Sequence, residues 1–247
     1  MKQKIAYSFS KAAKYYEDNA EVQKYCAKNL VKIANQYTSP EAKILDIGSG
    51  TGFISKEISK KIYHLDFAEK MCKKTKDLGH TICADFEKMP IKENSFDCVF
   101  SASAIQWNEN LEAVFSGVYK ILKENGYFFI ATYGENTLKE LKTIYKKNNL
   151  EMTILDFKKS SRVREKLIKC GFKIEKFKQE KRKIYIVNII SLFQRVKVIG
   201  AGASNKSNKF SKKLLTKMND DYLKKFGKKG EIYSTWEIYY FICKKSS

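Results

Sequence analysis

Residues 43–52, Lys-Ile-Leu-Asp-Ile-Gly-Ser-Gly-Thr-Gly, leave this chain few architectures to choose from. Ile44, Leu45 and Ile47 form a short apolar run of the kind that makes a strand buried in a parallel sheet. Gly48, Gly50 and Gly52 follow at alternate positions, and Phe53–Lys60 reads as the start of a helix. Strand, glycine turn and helix in that order bring backbone N–H groups and a helix N-terminus against a ligand. A dinucleotide-binding fingerprint needs its third glycine three positions after the second. That position is Phe53, which disfavours a dehydrogenase. A glycine turn without a ligand is the plain alternative, and it is weakened by two acidic residues further on. Asp66 lies in a second apolar run, Ile62–Phe67, 18 positions after Gly48. An acidic side chain about that far along accepts the ribose hydroxyls of a nucleoside bound across the strand tips. Asp85 ends a third run, Thr81–Asp85, where a carboxylate can accept from an adenine amino group while Phe86 covers the ring. His64, inside the second run, reads as a core histidine.

The rest of the first half keeps the alternation. Residues 4–37 read as an amphipathic helical cover, with apolar positions recurring from Ile5 through Tyr16 to Ile33. Lys70–Leu78 reads as a helix, Phe96–Ser101 as a strand, and Ala102–Asn108 as the loop at its carboxyl end. Open α/β sheets bind ligands at that end, so Gln106 and Trp107 are expected to face the pocket; Trp107 as a core plug is the alternative. Leu111–Lys123 is a helix stopped by Asn125-Gly126, and Tyr127–Thr132 is a fifth strand. This pattern predicts a doubly wound, Rossmann-like α/β fold with a mostly parallel sheet and an antiparallel final strand. Beyond residue 133 a helix is expected over Ser160–Cys170, extended chain over Phe172–Tyr185, and a helix over Asn188–Lys197. A small-residue turn over 198–203, a lysine-rich helix over Phe210–Phe226 and a last strand over Glu231–Lys244 complete the chain. The whole reads as one domain over 1–247. It comprises a helical cover (1–40), a cofactor-binding core (43–133), a helical substrate- or partner-facing insertion (186–229) and a final strand (231–245).

Composition narrows the chemistry. The formal net charge is +21, yet only four of the 48 basic residues are arginine (162, 164, 182 and 195). Nucleic-acid readers favour arginine for bidentate contacts, so a lysine-biased composition or an acidic protein partner fits better than RNA or DNA. The six cysteines (26, 72, 83, 98, 170 and 243) show no C-x-x-C pair and there are two histidines. No zinc pattern or disulfide framework is predicted, and no metal. Cys83 and Cys98 are expected as small buried core residues. No run approaches the ~18 uninterrupted apolar residues of a membrane span, and Met1–Ser10 lacks an apolar signal core. A cytoplasmic protein is expected.

Motif I, both acidic strand ends and the Ser95-Phe-Asp-Cys-Val-Phe-Ser101 strand resemble the core of class I S-adenosylmethionine-dependent methyltransferases over residues 43–133. Further stretches resemble malonyl-acyl-carrier-protein O-methyltransferases of biotin synthesis. These are Phe9-Ser-Lys-Ala-Ala13 with Tyr16, Ala20 and Gln23; Ser101–Trp107; Thr137–Leu141; Leu192 with Lys197–Ala201; and the tail Tyr233–Ile242. The family's N-R-F-x segment has no clear counterpart in 149–160, and Trp236 replaces a tyrosine of the last strand. The resemblance implies S-adenosyl-L-methionine as cofactor, held by Asp46, Gly48, Ser49, Gly50, Asp66, Phe67, Met71, Asp85, Phe86 and Ser101. It implies methyl transfer to the free carboxyl of malonyl-acyl carrier protein or malonyl-CoA, with Tyr16, Gln106, Trp107 and Arg195 positioning the substrate. Arg195 is the candidate partner of the malonyl carboxylate or of the carrier's phosphopantetheine phosphate. No general base is required, because an ordinary carboxyl is already ionised at pH 7. A methyltransferase acting on a small quinone precursor, or one binding RNA, would share the same core.

Overall fold

A computed structural model describes residues 2–151, 157–198 and 210–246. Five strands follow one another in parallel register: β1 (Ile44–Ile47), β2 (Ile62–Asp66), β3 (Gly79–Cys83), β4 (Phe96–Ala102) and β5 (Leu122–Tyr133). The final long strand β8 (Glu231–Lys245) runs antiparallel to β5 and to β6 (Phe172–Ile186), and the two-residue β7 (Gly227–Lys228) hairpins onto it. The spatial order is β3-β2-β1-β4-β5-β8-β6. The chain therefore reverses direction across the sheet between β1 and β4, which is where such sheets open a crevice at their carboxyl ends. This is the predicted doubly wound sheet with its antiparallel last strand.

Every residue of β1 is buried, as its unbroken apolar run requires of a strand paired on both sides. Apolar cores fill both faces. One is built from α3 (Glu21–Ala34), α5 (Glu69–Thr75), α7 (Lys139–Lys147), α9 (Ile189–Val198) and α10 (Lys212–Phe226). The other is built from α6 (Leu111–Ile121) and α8 (Ser160–Lys169). α6 starts where Asn110 accepts from the Ala113 N–H at 3.1 Å, an N-cap that satisfies one of the free donors of the first turn.

The N-terminal cover differs from expectation. It is three helices, α1 (Lys2–Ala12), α2 (Tyr16–Asn19) and α3 (Glu21–Ala34), with corners at Tyr15 and Ala20. No glycine or proline marks either corner; tertiary packing makes them, since Tyr16 and Ala20 are both buried. An ion pair between Lys56 and Glu17, 2.7 Å long, ties α2 to α4 (Phe53–Glu57). α4 has only five residues, so little helix dipole builds up behind the glycine turn, and the turn's own N–H groups carry that role. β3 ends at Cys83, leaving Asp85 in the turn beyond it, and it is an edge strand. Cys83 is accordingly exposed, not a core residue, whereas Cys98 on the interior strand β4 is buried. β5 begins before the expected position because Asn125-Gly126 is absorbed into it as an irregularity, the register shifting between Phe96 and Cys98. The expected turn over 198–203 and the polar stretch 205–209 lie, beyond Val198, outside the described residues.

β6 is the other edge, and it is dressed with lysines at 173, 176, 178, 181 and 183. Charged side chains on an open edge oppose pairing with another chain. Among the described residues, no helix is long and apolar enough to cross a membrane.

Candidate active site

The tips of β1, β2 and β4 surround an open cleft, at the carboxyl ends where open α/β sheets bind ligands. Its floor is the glycine turn. Gly48, Gly50 and Gly52 all have positive φ (68°, 54° and 80°), the left-handed region that glycine enters without cost. The Gly48 N–H donates to Leu65 O at 2.7 Å and the Ser49 N–H donates to the same oxygen at 3.2 Å, pinning the turn to the end of β2. Gly48 also packs directly on Ala104, leaving no room for a side chain.

Asp66 joins the two tips. Its carboxylate accepts from the Gly50 N–H at 2.9 Å and the Ala68 N–H at 2.8 Å. Each oxygen keeps a lone pair for a ligand hydroxyl. Burial pushes the Asp66 carboxyl up to about 6, against the pull of the Ala68, Gly50 and Phe67 N–H groups. Asp46, on β1, is 1% exposed; burial and then the nearby Asp66 charge raise its carboxyl well above the ordinary range. His64 lies behind this group in the core, its Nε2 3.0 Å from Ser55 Oγ, and burial lowers its ring to about 4.

The lining sorts into two walls. On one, Asp66, Phe67, Met71 and Phe86 offer a carboxylate with apolar and aromatic cover. On the other stand Phe9, Tyr16 and Gln23 from the cover, with Phe53, Ser103 and Trp107. Phe9 meets Trp107 edge-on at 5.1 Å, and Tyr16 stacks on Phe53 at 6.1 Å. Ser103 has φ 58°, and its Oγ accepts from the Tyr133 hydroxyl at 2.8 Å.

The cleft brings together Tyr16, Asp46, Gly48, Ser49, Gly50, Asp66, Phe67, Met71, Phe86 and Trp107 among the residues expected there. Four others stand elsewhere. Gln106 turns away: its Nε2 donates to Ser103 O at 2.7 Å and its Oε1 accepts from Thr132 at 3.2 Å, so both ends of its amide are engaged. Arg195, on α9, reaches Glu21 at 3.4 Å and is not on the cleft wall. Asp85 caps its own turn by accepting from the Glu87 N–H at 2.9 Å, beside the cleft rather than in it. Ser101 is fully buried within β4, one residue short of the lining. Conversely, Phe9, Gln23, Thr51, Phe53 and Ser103 line the cleft without having been expected to. Phe9 and Gln23 carried a signal in the N-terminal resemblance, Thr51 in the glycine motif and Ser103 in the Ser101–Trp107 stretch; Phe53 read only as the start of a helix.

An adenosyl sulfonium suits this cleft. Among the described residues, the side-chain oxygens Asp46 Oδ2 and Ser49 Oγ are buried with no hydrogen-bond partner. Buried polar atoms are rarely left so, and a polar ligand would satisfy them.

The fold is the Rossmann-like one of methyltransferases, and residues 45–130 match the family model described as "Methyltransferase domain". Over nearly its whole length the chain is similar to proteins named malonyl-[acyl-carrier protein] O-methyltransferase. One, from Methylovorus sp. (strain MP688), is 26% identical over 97% of this chain and 87% of its own. Another, from Geobacter sulfurreducens, is 28% identical over 99% of both. The chain also matches 38% of the biotin biosynthesis bifunctional protein BioHC of Saccharophagus degradans, at 31% identity over 81% of this chain. Among solved structures, a SAM-dependent methyltransferase of Thermotoga maritima superposes with a TM-score of 0.60 at 19% identity, covering 97% of this chain and 99% of that one.

Proposed function

We propose that this chain transfers the methyl group of S-adenosylmethionine to the free carboxyl of a malonyl thioester on an acyl carrier protein, the methyl ester that starts pimelate synthesis for biotin. The observation that carries the proposal is the make-up of the cleft. Asp66, suited to accept from a ribose, and the glycine turn line it together with a mostly aromatic set, and among the described lining residues there is no lysine, arginine or histidine. A nucleophile that needed deprotonation would call for a base near neutrality; a malonyl carboxylate does not, being ionised already. When bound, the cofactor supplies an electrophilic methyl on a cationic sulfur. The carboxylate oxygen forms the new O–C bond as the C–S bond breaks, its electron pair passing to sulfur, and no proton moves. Asp66 would hold the ribose, Phe67, Met71 and Phe86 would cover the adenine, and Phe9, Tyr16 and Trp107 would close the cleft against water. Rate then comes from alignment and exclusion of solvent.

Labelled S-adenosylmethionine with malonyl-, succinyl- and acetyl-carrier protein tests this directly. A base-labile methyl ester is expected on malonyl, and none on acetyl, which lacks a free acid. Label in none of the three would overturn the proposal.

Asp66 gives a pH prediction. Ribose hydroxyls donate to the ionised form, so affinity for S-adenosylhomocysteine should be level above about 6 and weaken as pH falls below it. Asp66→Asn should bind weakly at every pH and flatten the profile, as read by calorimetry. Stability moves the other way: with the folded value raised above the ordinary 3.8, the unliganded protein gains stability as pH drops from about 6 towards 3.8.

The carrier supplies an acidic partner for the basic surface, and the reading puts the protein in the cytoplasm. Docking is expected on the lysines of β6, α8 and α10, within 158–183 and 205–229, of which 205–209 are outside the described residues. Activity on the carrier-bound substrate should fall about tenfold between low and high salt, and activity on malonyl-CoA should fall less. Equal salt dependence would remove the docking role.

A further inference from the structure

The aromatic wall holds one buried amide. Gln23 sits in the first turn of α3, is 5% exposed and lines the cleft, and its Oε1 has no hydrogen-bond partner among the described residues. A half-turn about its last bond exchanges C=O and NH₂, so the same site can offer an acceptor or a pair of donors. Close by in the same lining is Tyr16, 8% exposed, whose phenol burial holds protonated and therefore able to donate. The residue expected to pair with the acceptor's carboxylate, Arg195, is held by Glu21 away from the cleft, and among the described residues no cation lines it.

We infer that Gln23 binds the acceptor's carboxylate, donating its side-chain N–H while Tyr16 donates its hydroxyl. The inference rests on the proposed function and deepens it by naming the chemistry that reads the free acid. Neutral donors suit an attacking carboxylate. They fix its direction but leave more charge on the oxygen than a guanidinium would, and the countercharge comes from the sulfonium that is being attacked. Hydrogen bonds to a charged acceptor are about twice as strong as those to a neutral one. The same pair therefore grips the acid and loosens on the ester, which favours release of the product.

The test uses the full chain, wild type and the variants Gln23→Leu and Gln23→Glu, with malonyl-carrier protein as acceptor. Losing one charge-assisted hydrogen bond should raise the acceptor KM of Gln23→Leu by about 10- to 100-fold. Its S-adenosylhomocysteine affinity, measured by calorimetry, should stay within about twofold of wild type. Gln23→Glu sets a carboxylate against the carboxylate of the acceptor. Its KM should be as poor at about pH 8 and recover as the pH falls towards about 5.5, where the acid form can donate; wild type should show no such recovery. Should leucine at 23 unfold the chain, the near-isosteric Gln23→Glu carries the test alone. An unchanged acceptor KM, a matching loss of cofactor-product affinity, or a Gln23→Glu variant that fails to recover at low pH would each overturn the assignment. A wild-type chain that esterifies no carboxylate carrier would instead overturn the proposed function, and this inference with it.

Discussion

Gly48→Ala is expected to abolish measurable S-adenosylhomocysteine binding while Gly50→Ala largely keeps it. Both positions have positive φ, so each alanine carries a backbone cost of about 1–2 kcal/mol. They differ in what the new methyl meets. At Gly50 nothing lies within 4 Å; at Gly48 it would collide with the Ala104 Cβ, and Phe86 stands 3.6 Å away. Relief of that clash must push the β1 tip from the β4 tip or rotate the turn, and either movement disturbs the N–H groups of Gly48 and Ser49 that lock onto Leu65 O. Overpacking of this kind costs about a further 1–3 kcal/mol. Calorimetry on the two variants side by side is decisive. Equal losses would mean that backbone conformation alone, and not the close approach of β4, shapes the floor of the cleft.

The second large effect lies away from the cleft, at Glu237. This carboxylate is fully buried in β8 and accepts from the Asn136 N–H at 3.0 Å, Asn136 Nδ2 at 3.0 Å, Gln179 Nε2 at 2.8 Å and the Tyr239 hydroxyl at 3.0 Å. Lys181 stands 3.7 Å off. Burial works to raise its carboxyl, but the Asn136 and Tyr239 hydrogen bonds and the Lys181 charge outweigh it and hold the group below the ordinary range. Glu237→Ala would strand those donors around a void. Lys181 is half exposed and can turn to solvent, so the loss is that of the stranded buried donors, each about 1–3 kcal/mol and together a large share of the roughly 5–15 kcal/mol that holds a typical domain together. Glu237→Gln should cost about 1–3 kcal/mol, the share of the charge-assisted bonds. The sign with pH is set by the lowered folded value: the stabilisation is complete above the ordinary carboxyl value of 4.5 and disappears as pH falls through the folded one. Denaturant midpoints of wild type and Glu237→Gln should therefore converge in acid. A constant gap from pH 7 down to about 3 would mean that shape, not charge, sets the contribution.

The parts of this molecule that could be foreseen are those whose physics is local. A buried strand followed by alternate glycines can do little else, and the distance from Gly48 to Asp66 is fixed by one helix and one strand. The bipartite cover could not be foreseen, because its corners at Tyr15 and Ala20 carry no helix-breaking residue and its apolar spacing runs on across them. Cys83 is exposed against expectation because apolar content does not say which strand lies at an edge. Gln106 and Arg195 were misplaced for a different reason. Their chemistry suits a substrate carboxylate, but each is claimed by a partner that only the tertiary fold supplies, Ser103 and Thr132 for one and Glu21 for the other. Gln23 is the converse: the N-terminal resemblance includes it, but only the fold puts its buried amide in the lining of the cleft.

The walls of the cleft come from separate stretches of chain. The nucleoside side is drawn from residues 46–86, and much of the facing side from Phe9, Tyr16 and Gln23. On the proposed function, the choice of what is methylated would be portable. Exchanging the first two dozen residues for those of a relative would retarget the transfer while the grip on the methyl donor passed through unaltered, a division of labour that lets one cofactor fold serve many acceptors by changing its leading edge.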